Sequence, residues 1–277
     1  MSQPAAETDF PEPPVLQGHG PARLIALCNQ KGGVGKTTTA INLGAALALY
    51  GRKVLVVDFD PQGAASVALG VTAKEDQPTV YDALMRSDVT VTDVIRPTSL
   101  ATLDVAPANI DLSAAEVQLV SEVARETSLA RMLRPVTETY DVILIDCQPS
   151  LGLLTVNALT AAHGVIIPLE TEYFALRGVA LLVETIAKVA DRLNPRLKID
   201  GILATMVDIR TLHSREVLER VQEAFAEQVF DTVIGKTVKF PDSSVAAESI
   251  LTFAPSHQGA AAYRRLAREL IARGDAA

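Results

Sequence analysis

Short, uninterrupted apolar runs punctuate this chain, separated by longer segments in which apolar residues return every three or four positions. The runs are Arg23–Asn29, Lys53–Phe59, Leu103–Ala106, Asp141–Ile145, Gly164–Leu169, Ile199–Met206 and Val229–Ile234. They are continuous rather than alternating, the pattern of parallel strands covered on both faces. Helical spacing is clearest at Ala40–Tyr50, Gly178–Leu193, Ser214–Gln228 and Ala260–Ala272, with Gly51 placed to cap the first of these helices. Strand alternating with helix predicts an α/β fold: a single doubly wound, mostly parallel sheet with helices on both faces, whose ligands sit at the carboxyl ends of the strands.

Composition narrows the class. The chain has 277 residues, 48% of them hydrophobic and 21% charged, enough apolar content for one large core. Residues 1–22 differ: five prolines, several acids and no Lys or Arg predict a disordered tail, leaving residues 23–277 as the domain. Two cysteines, Cys28 and Cys147, are too few for a disulfide scaffold and predict small buried hydrophobes in a reducing, cytoplasmic setting. No stretch has the 18 or more apolar residues of a membrane span, and the first residues lack the basic start and apolar core of a signal peptide.

One segment carries clear chemistry. Lys31-Gly32-Gly33-Val34-Gly35-Lys36-Thr37-Thr38 follows the first apolar run and opens a helix, the context that a phosphate-binding loop requires. Glycines let backbone N–H groups converge on phosphate oxygens, and the helix N-terminus adds its dipole. Lys36 supplies a mobile cation for the terminal phosphates and Thr37 a hydroxyl for Mg²⁺. This is the P-loop NTPase arrangement, with Gln30 where the usual pattern has its first glycine and a second lysine, Lys31, near the loop's start.

Carboxylates stand at the ends of two other runs. Asp58 and Asp60 close the second, where Pro61 stops the strand, and Asp146 follows Asp141–Ile145 in the manner of a Walker B aspartate that holds Mg²⁺.

The segment around Lys31 and Lys36 resembles the deviant Walker A loop of the ParA/MinD ATPases. Further stretches strengthen the likeness to the chromosomal ParA/Soj branch: Asp60-Pro61-Gln62-Gly63, Pro149-Ser150-Leu151-Gly152, Glu172 through Gly178, and Ala204-Thr205-Met206-Val207-Asp208. Together the resemblance spans about Arg23 to Ile271. It implies ATP and Mg²⁺ as ligands, with Lys31, Gly32, Gly33, Val34, Gly35, Lys36, Thr37, Thr38 and Met206 on the nucleotide. It implies Thr37, Asp58 and Asp146 around the metal, Asp60 orienting the attacking water, and Lys31 reaching the nucleotide of a second subunit in an ATP-bound homodimer. Cys147-Gln148 departs from the Asp-Ala-Pro-Pro-Ser form of the wider family, and Gln148 is expected to reposition the segment after the strand. The family also implies a slow ATPase stimulated by a ParB-like partner, nucleoid association, and DNA binding without sequence preference through positions corresponding to Arg210 and the Lys236–Lys239 loop.

Charge adjusts that last expectation. The formal net charge is −8, yet residues 205–277 carry 9 Lys and Arg against 10 Asp and Glu, while residues 1–204 carry 16 against 23. A nearly neutral final quarter can present a local basic patch, the requirement for phosphate contacts. Its candidates are Arg210, Arg215, Lys236 and Lys239, with Arg264, Arg265 and Arg268 on the last helical segment. Glu216, Glu219 and Glu223 interleave with them, and His213 is a neighbour; none of the four histidines has metal-ligand spacing.

Three other functions compete. A MinD-like membrane-surface ATPase needs an amphipathic C-terminal anchor, whereas Ala260–Ala272 reads as packing onto the sheet, so no membrane partner is expected. An iron–sulfur relative needs surface thiolates, which two cysteines at buried strand ends do not supply. A slow nucleotide-sensing scaffold is the third alternative.

Overall fold

The computed structural model describes residues 10–74, 76–171, 175–208, 210–274 and 276, leaving aside the side chains of residues 175–177, 212, 213 and 227. Seven strands form one sheet: β1 (Arg23–Leu27), β2 (Val54–Phe59), β3 (Arg96–Pro97), β4 (Leu103–Ala106), β5 (Val142–Cys147), β6 (Gly164–Glu170) and β7 (Lys198–Thr205). Their order is β3-β4-β2-β5-β1-β6-β7, parallel throughout except for the β3–β4 edge pair.

Strand pleating explains the continuous apolar runs. In β1, Leu24 and Ala26 enter one core layer while Ile25 and Leu27 enter the other, and β2 and β5 divide in the same way. The first layer is closed by helices Leu153–Ala161 and Ala175–Arg192, the second by helices Lys36–Leu49 and Gln258–Ala272. Gly44 permits the close seat of helix Lys36–Leu49: a Cβ there would lie 3.3 Å from both Leu103 and Val56. That helix starts a turn before the apolar spacing predicts, because its first residues, Lys36-Thr37-Thr38-Thr39, are polar ones belonging to the loop. Gly51 follows it at φ +80°, as expected of a C-terminal cap.

Three expectations need correction. Val229–Ile234 is not a sheet strand; it runs beside β7 through isolated bridges at Val229 and Gly235. The amides of Asp231 and Thr232 instead donate to the buried Glu269 carboxylate at 2.7 and 2.9 Å, which takes this stretch out of a regular ladder. Lys239, expected in a loop, opens the short helix Lys239–Val245.

The expected tail is likewise fastened to the body from Phe10 onward; residues 1–9 lie outside the described residues. Asp141 accepts bonds from Gly20 N and His19 Nδ1, Arg52 donates to Pro14 O at 2.9 Å, and the Arg265 guanidinium lies 5.3 Å from the centre of the Phe10 ring. Its polar backbone and one aromatic ring are held by these contacts, which supply what the segment's own composition lacks.

Candidate functional site: a phosphate cradle at the carboxyl end of the sheet

The loop after β1 turns through two left-handed glycines, Gly33 at φ +77° and Gly35 at φ +88°, before entering helix Lys36–Leu49. These conformations favour glycine and leave the amides directed into one hollow. Asn29 braces the approach: its Nδ2 donates to Pro168 O at 2.7 Å and its Oδ1 accepts from Lys31 N at 3.0 Å. The Thr205 hydroxyl supports the loop from beyond by donating to Val34 O at 2.8 Å. A cavity of about 200 Å³ results, bounded by Gly32, Gly33, Gly35, Lys36, Thr37 and Thr38, with Asp60, Pro149 and Met206 facing them.

Lys36 is nearly buried, and its Nζ donates to Lys31 O at 3.1 Å. Burial lowers its pKa, opposed chiefly by the charge of Asp146. Asp146 is fully buried at the end of β5, opposite Asp58 on β2 and Leu27 on β1. Burial, then the Asp58 charge, pushes its pKa well above the usual range; Thr37 and Lys36 pull the other way without forming a regular hydrogen bond to it. Both Asp146 oxygens are buried without a hydrogen-bond partner, a costly arrangement that a cation would relieve.

Asp58, expected near the metal, makes hydrogen bonds that its strand-end position does not announce. Its Oδ2 accepts from Ser66 N at 2.8 Å and Ser66 Oγ at 2.6 Å, while Oδ1 faces Asp60 N at 3.4 Å. It braces the turn that presents Asp60, so Asp146 with Thr37 fits a divalent cation better. Asp60 is half-exposed at the rim, with Oδ1 accepting from Gln62 N at 3.0 Å.

Burial raises the Asp58 pKa to about 6. A carboxyl more basic when folded than when unfolded stabilises the fold fully below its unfolded pKa of about 3.8, and that contribution is lost as pH rises through about 6. Asp58→Asn keeps an acceptor for Ser66. Without nucleotide or divalent cation, the variant is expected to flatten the stability change between pH 4 and 7 by an amount on the order of 3 kcal/mol. Urea melts at a series of pH values check this; parallel wild-type and variant curves would show that Asp58 is not the titrating group.

Lys31 lies outside the hollow. Its half-exposed ammonium is 2.8 Å from Glu170 Oε2 within the same subunit. Gln148 donates to Glu116 Oε1 at 3.0 Å, tying the segment after β5 to helix Leu112–Gln118 rather than to the phosphate cavity.

Beside the phosphate cavity lies a second of about 250 Å³, shared at Gly35, Thr38 and Met206 and walled by Ile234, Phe240, Pro241 and Tyr263. Its size and mixed lining suit the nucleoside part of a nucleotide. Gly35, Thr38 and Met206 were expected at the nucleotide from sequence, and Lys236, which also lines this cavity, was expected at DNA; Ile234, Phe240, Pro241 and Tyr263 were not expected. The signal available for the rest was Pro241 soon after an apolar run, a stop at the height of the sheet's carboxyl edge.

The expected basic patch divides. Arg210 is exposed and forked onto Asp208, with two contacts of 2.8 Å, and it borders with Lys236 a broad cleft of about 730 Å³. Arg215 is exposed on helix Leu212–Phe225, and Lys239 pairs with Asp242 at 3.1 Å. Arg264 and Arg265 donate to the carbonyls of Pro255 and Asp231, so they brace the chain, and half-buried Arg268 lies on the same helix. Glu172, Tyr173 and Phe174 lie outside the described residues.

Residues 22–199 match the AAA domain family. An uncharacterised protein of Mycobacterium tuberculosis is 60% identical over 95% of this chain and 83% of its own. The sporulation initiation inhibitor protein Soj of Bacillus subtilis is 46% identical over 91% of this chain and 99% of its own. This chain belongs to the ParA/Soj-type ATPases of the ParA/MinD family. Among solved structures, a Mycobacterium smegmatis protein named cobyrinic acid a,c-diamide synthase, with a bound ATP analogue and magnesium, is similar at 41% identity and a TM-score of 0.80, covering 90% of this chain and 94% of that one. The loop Gly32–Thr38 and the buried Asp146 lie together at the carboxyl ends of β1 and β5. Among the described residues, no helix is long and apolar enough to cross a membrane.

Proposed function

We propose that the chain is an ATP-hydrolysing partition switch: it dimerises around ATP, binds DNA without sequence preference while dimeric, and is released when a ParB-like partner stimulates hydrolysis. The observation that carries this reading is the division of labour between two lysines on one loop. Lys36 lines the cavity from within, whereas Lys31 stands half-exposed outside it with its ammonium on Glu170, where a swing of the side chain would bring it to a facing subunit's nucleotide. The ATP analogue and magnesium bound in the similar Mycobacterium smegmatis structure support ATP and Mg²⁺ as the ligands.

In this mechanism the backbone amides of Gly32–Thr38 and the Lys36 ammonium hold the phosphates. Thr37 and Asp146 would hold Mg²⁺, which supplies charge neutralisation on the terminal phosphates. Asp60 at the rim orients the water for attack, and Lys31 of the facing subunit adds charge to the leaving side. Contacts made only in the ATP state favour the dimer, so hydrolysis releases both the second subunit and the DNA. Such cycling places the protein on the nucleoid in the cytoplasm.

Lys31→Ala is expected to leave ATP affinity within about tenfold of wild type while eliminating the ATP-dependent dimer. Sedimentation with and without ATP checks this, and an unchanged dimer would refute the role of Lys31. Arg210 and Lys236 at the open cleft are the proposed phosphate contacts. Arg210→Glu should weaken DNA binding and lower the salt slope by about one at unchanged ATP affinity; an unaltered salt-dependent isotherm would remove Arg210 from the interface.

The membrane-surface alternative loses support at helix Gln258–Ala272. Its apolar residues Ala260, Tyr263, Leu266 and Leu270 are buried in the same core layer as helix Lys36–Leu49. Flotation with anionic liposomes should therefore recover no ATP-bound protein; firm flotation without DNA binding would favour that alternative.

A further inference from the structure

We propose that Cys28 and Cys147 are a redox modification site, closing to a reversible disulfide that loosens the nucleotide cradle. The two residues are 119 apart in sequence, yet their sulfurs lie 3.3 Å from each other. The β1–β5 register runs to Leu27 opposite Asp146, and one further step brings Cys28 opposite Cys147. Neighbouring parallel strands are about 4.8 Å apart, inside the range of backbone separations a disulfide spans. Both side chains point into the same core layer.

Burial decides which product can form. Each cysteine is 1% exposed, so a bulky thiol such as glutathione cannot approach either sulfur in the folded protein. A small two-electron oxidant that reaches one sulfur finds the other as the nearest nucleophile, held there at high effective concentration. The step balances: two thiols lose two electrons and two protons, one S–S bond forms, and the oxidant takes up both. With an azodicarboxamide such as diamide, its N=N bond becomes a hydrazine; with hydrogen peroxide, the O–O bond breaks to give two waters. Burial makes the reaction slow, and a dithiol reductant reverses it.

The consequence follows from what flanks each sulfur. Cys28 precedes Asn29, whose side chain holds both Pro168 and the first amide of the phosphate loop. Cys147 follows Asp146, the buried carboxylate facing Lys36 and Thr37. Closing the sulfurs from 3.3 Å to a bond of about 2.05 Å draws these two strand ends together. A displacement of the order of 1 Å at a positioning site costs substantial affinity. This consequence rests on the phosphate-site reading above, whereas formation of the bond does not.

The test treats the reduced full-length chain with hydrogen peroxide under native conditions, removes the reagent, and reads three quantities. The intact mass should fall by about 2 Da, peptide mapping should join the segments containing Cys28 and Cys147, and affinity for a non-hydrolysable ATP analogue should fall about tenfold or more. Dithiothreitol should restore both mass and affinity. Cys28→Ala should keep the reduced protein's affinity and lose all response to the oxidant. Two free thiols after treatment, a disulfide between molecules, or an equal response in Cys28→Ala would overturn the site. A correct cross-link with unchanged affinity would overturn its coupling to nucleotide. Failure of the reduced protein to bind the analogue would instead count against the phosphate-site reading, with the mass change still judging the pair.

Discussion

Lys36→Ala is expected to reduce ATP affinity by at least about 100-fold, the largest effect of any single substitution in the cradle. The side chain is the cavity's buried cation and cannot be replaced by solvent in the way an exposed lysine could. Its loss removes a charge-assisted contact to phosphate and also leaves Asp146 and Asp60 without the nearby positive charge that offsets them. The Asp60 carboxylate on the cavity's rim then adds uncompensated repulsion toward an incoming polyanion to the lost attraction. Titration calorimetry with MgATP checks the result, and thermal melting of the unliganded variant separates a binding defect from an unfolded chain. Retention of affinity within tenfold would place the phosphates elsewhere.

Asp60→Ala is expected to separate binding from turnover. Asp60 stands at the rim of the cavity, opposite the phosphate loop, and its carboxylate accepts a hydrogen bond from the amide of Gln62. A group that orients or deprotonates the attacking water contributes about 10²–10⁴ in rate, so hydrolysis should fall by at least about 100-fold while ATP affinity stays near wild type. Removing a carboxylate from beside the phosphates also eases charge repulsion, which favours accumulation of the ATP-bound state. Single-turnover hydrolysis measured alongside nucleotide binding makes the distinction. Normal turnover in the variant would show that another group handles the water.

The phosphate loop was legible because its chemistry is local: glycines, lysine and threonine stand within eight residues between a strand and a helix, although Pro168 and Thr205 brace the turn from a distance. Asp146 was legible for a related reason, since an acid ending a continuous apolar run marks a strand's carboxyl edge. Asp58 shows where the reasoning stops. Its strand-end position is the expected one, yet Ser66, in the helix that follows, claims the carboxylate.

Long-range closure hid other features. The wall of the second cavity comes largely from Ile234 to Tyr263 and includes residues of the short helix Lys239–Val245, whose internal Pro241 reads as a loop. Met206 adopts φ +54°, a left-handed conformation that its residue type does not announce. Helices Val80–Met85 and Val91–Val94 are too short for a clear helical period, although Thr79 with Asp82 and Thr90 with Asp93 form capping boxes that are readable from sequence. Val229–Ile234 misled in the other direction, because apolar content alone cannot reveal that Glu269, nearly forty residues later, captures two of its amides.

The most direct test of the switch measures particle mass and DNA retention together, for the same preparation without nucleotide, with MgADP and with MgATP, across a series of salt concentrations. The account predicts a dimer that binds DNA of unrelated sequences with a steep salt dependence only in MgATP, and monomers that release DNA in the other two states. DNA binding of equal strength in all three states, or an ATP-bound monomer that never dimerises, would contradict it.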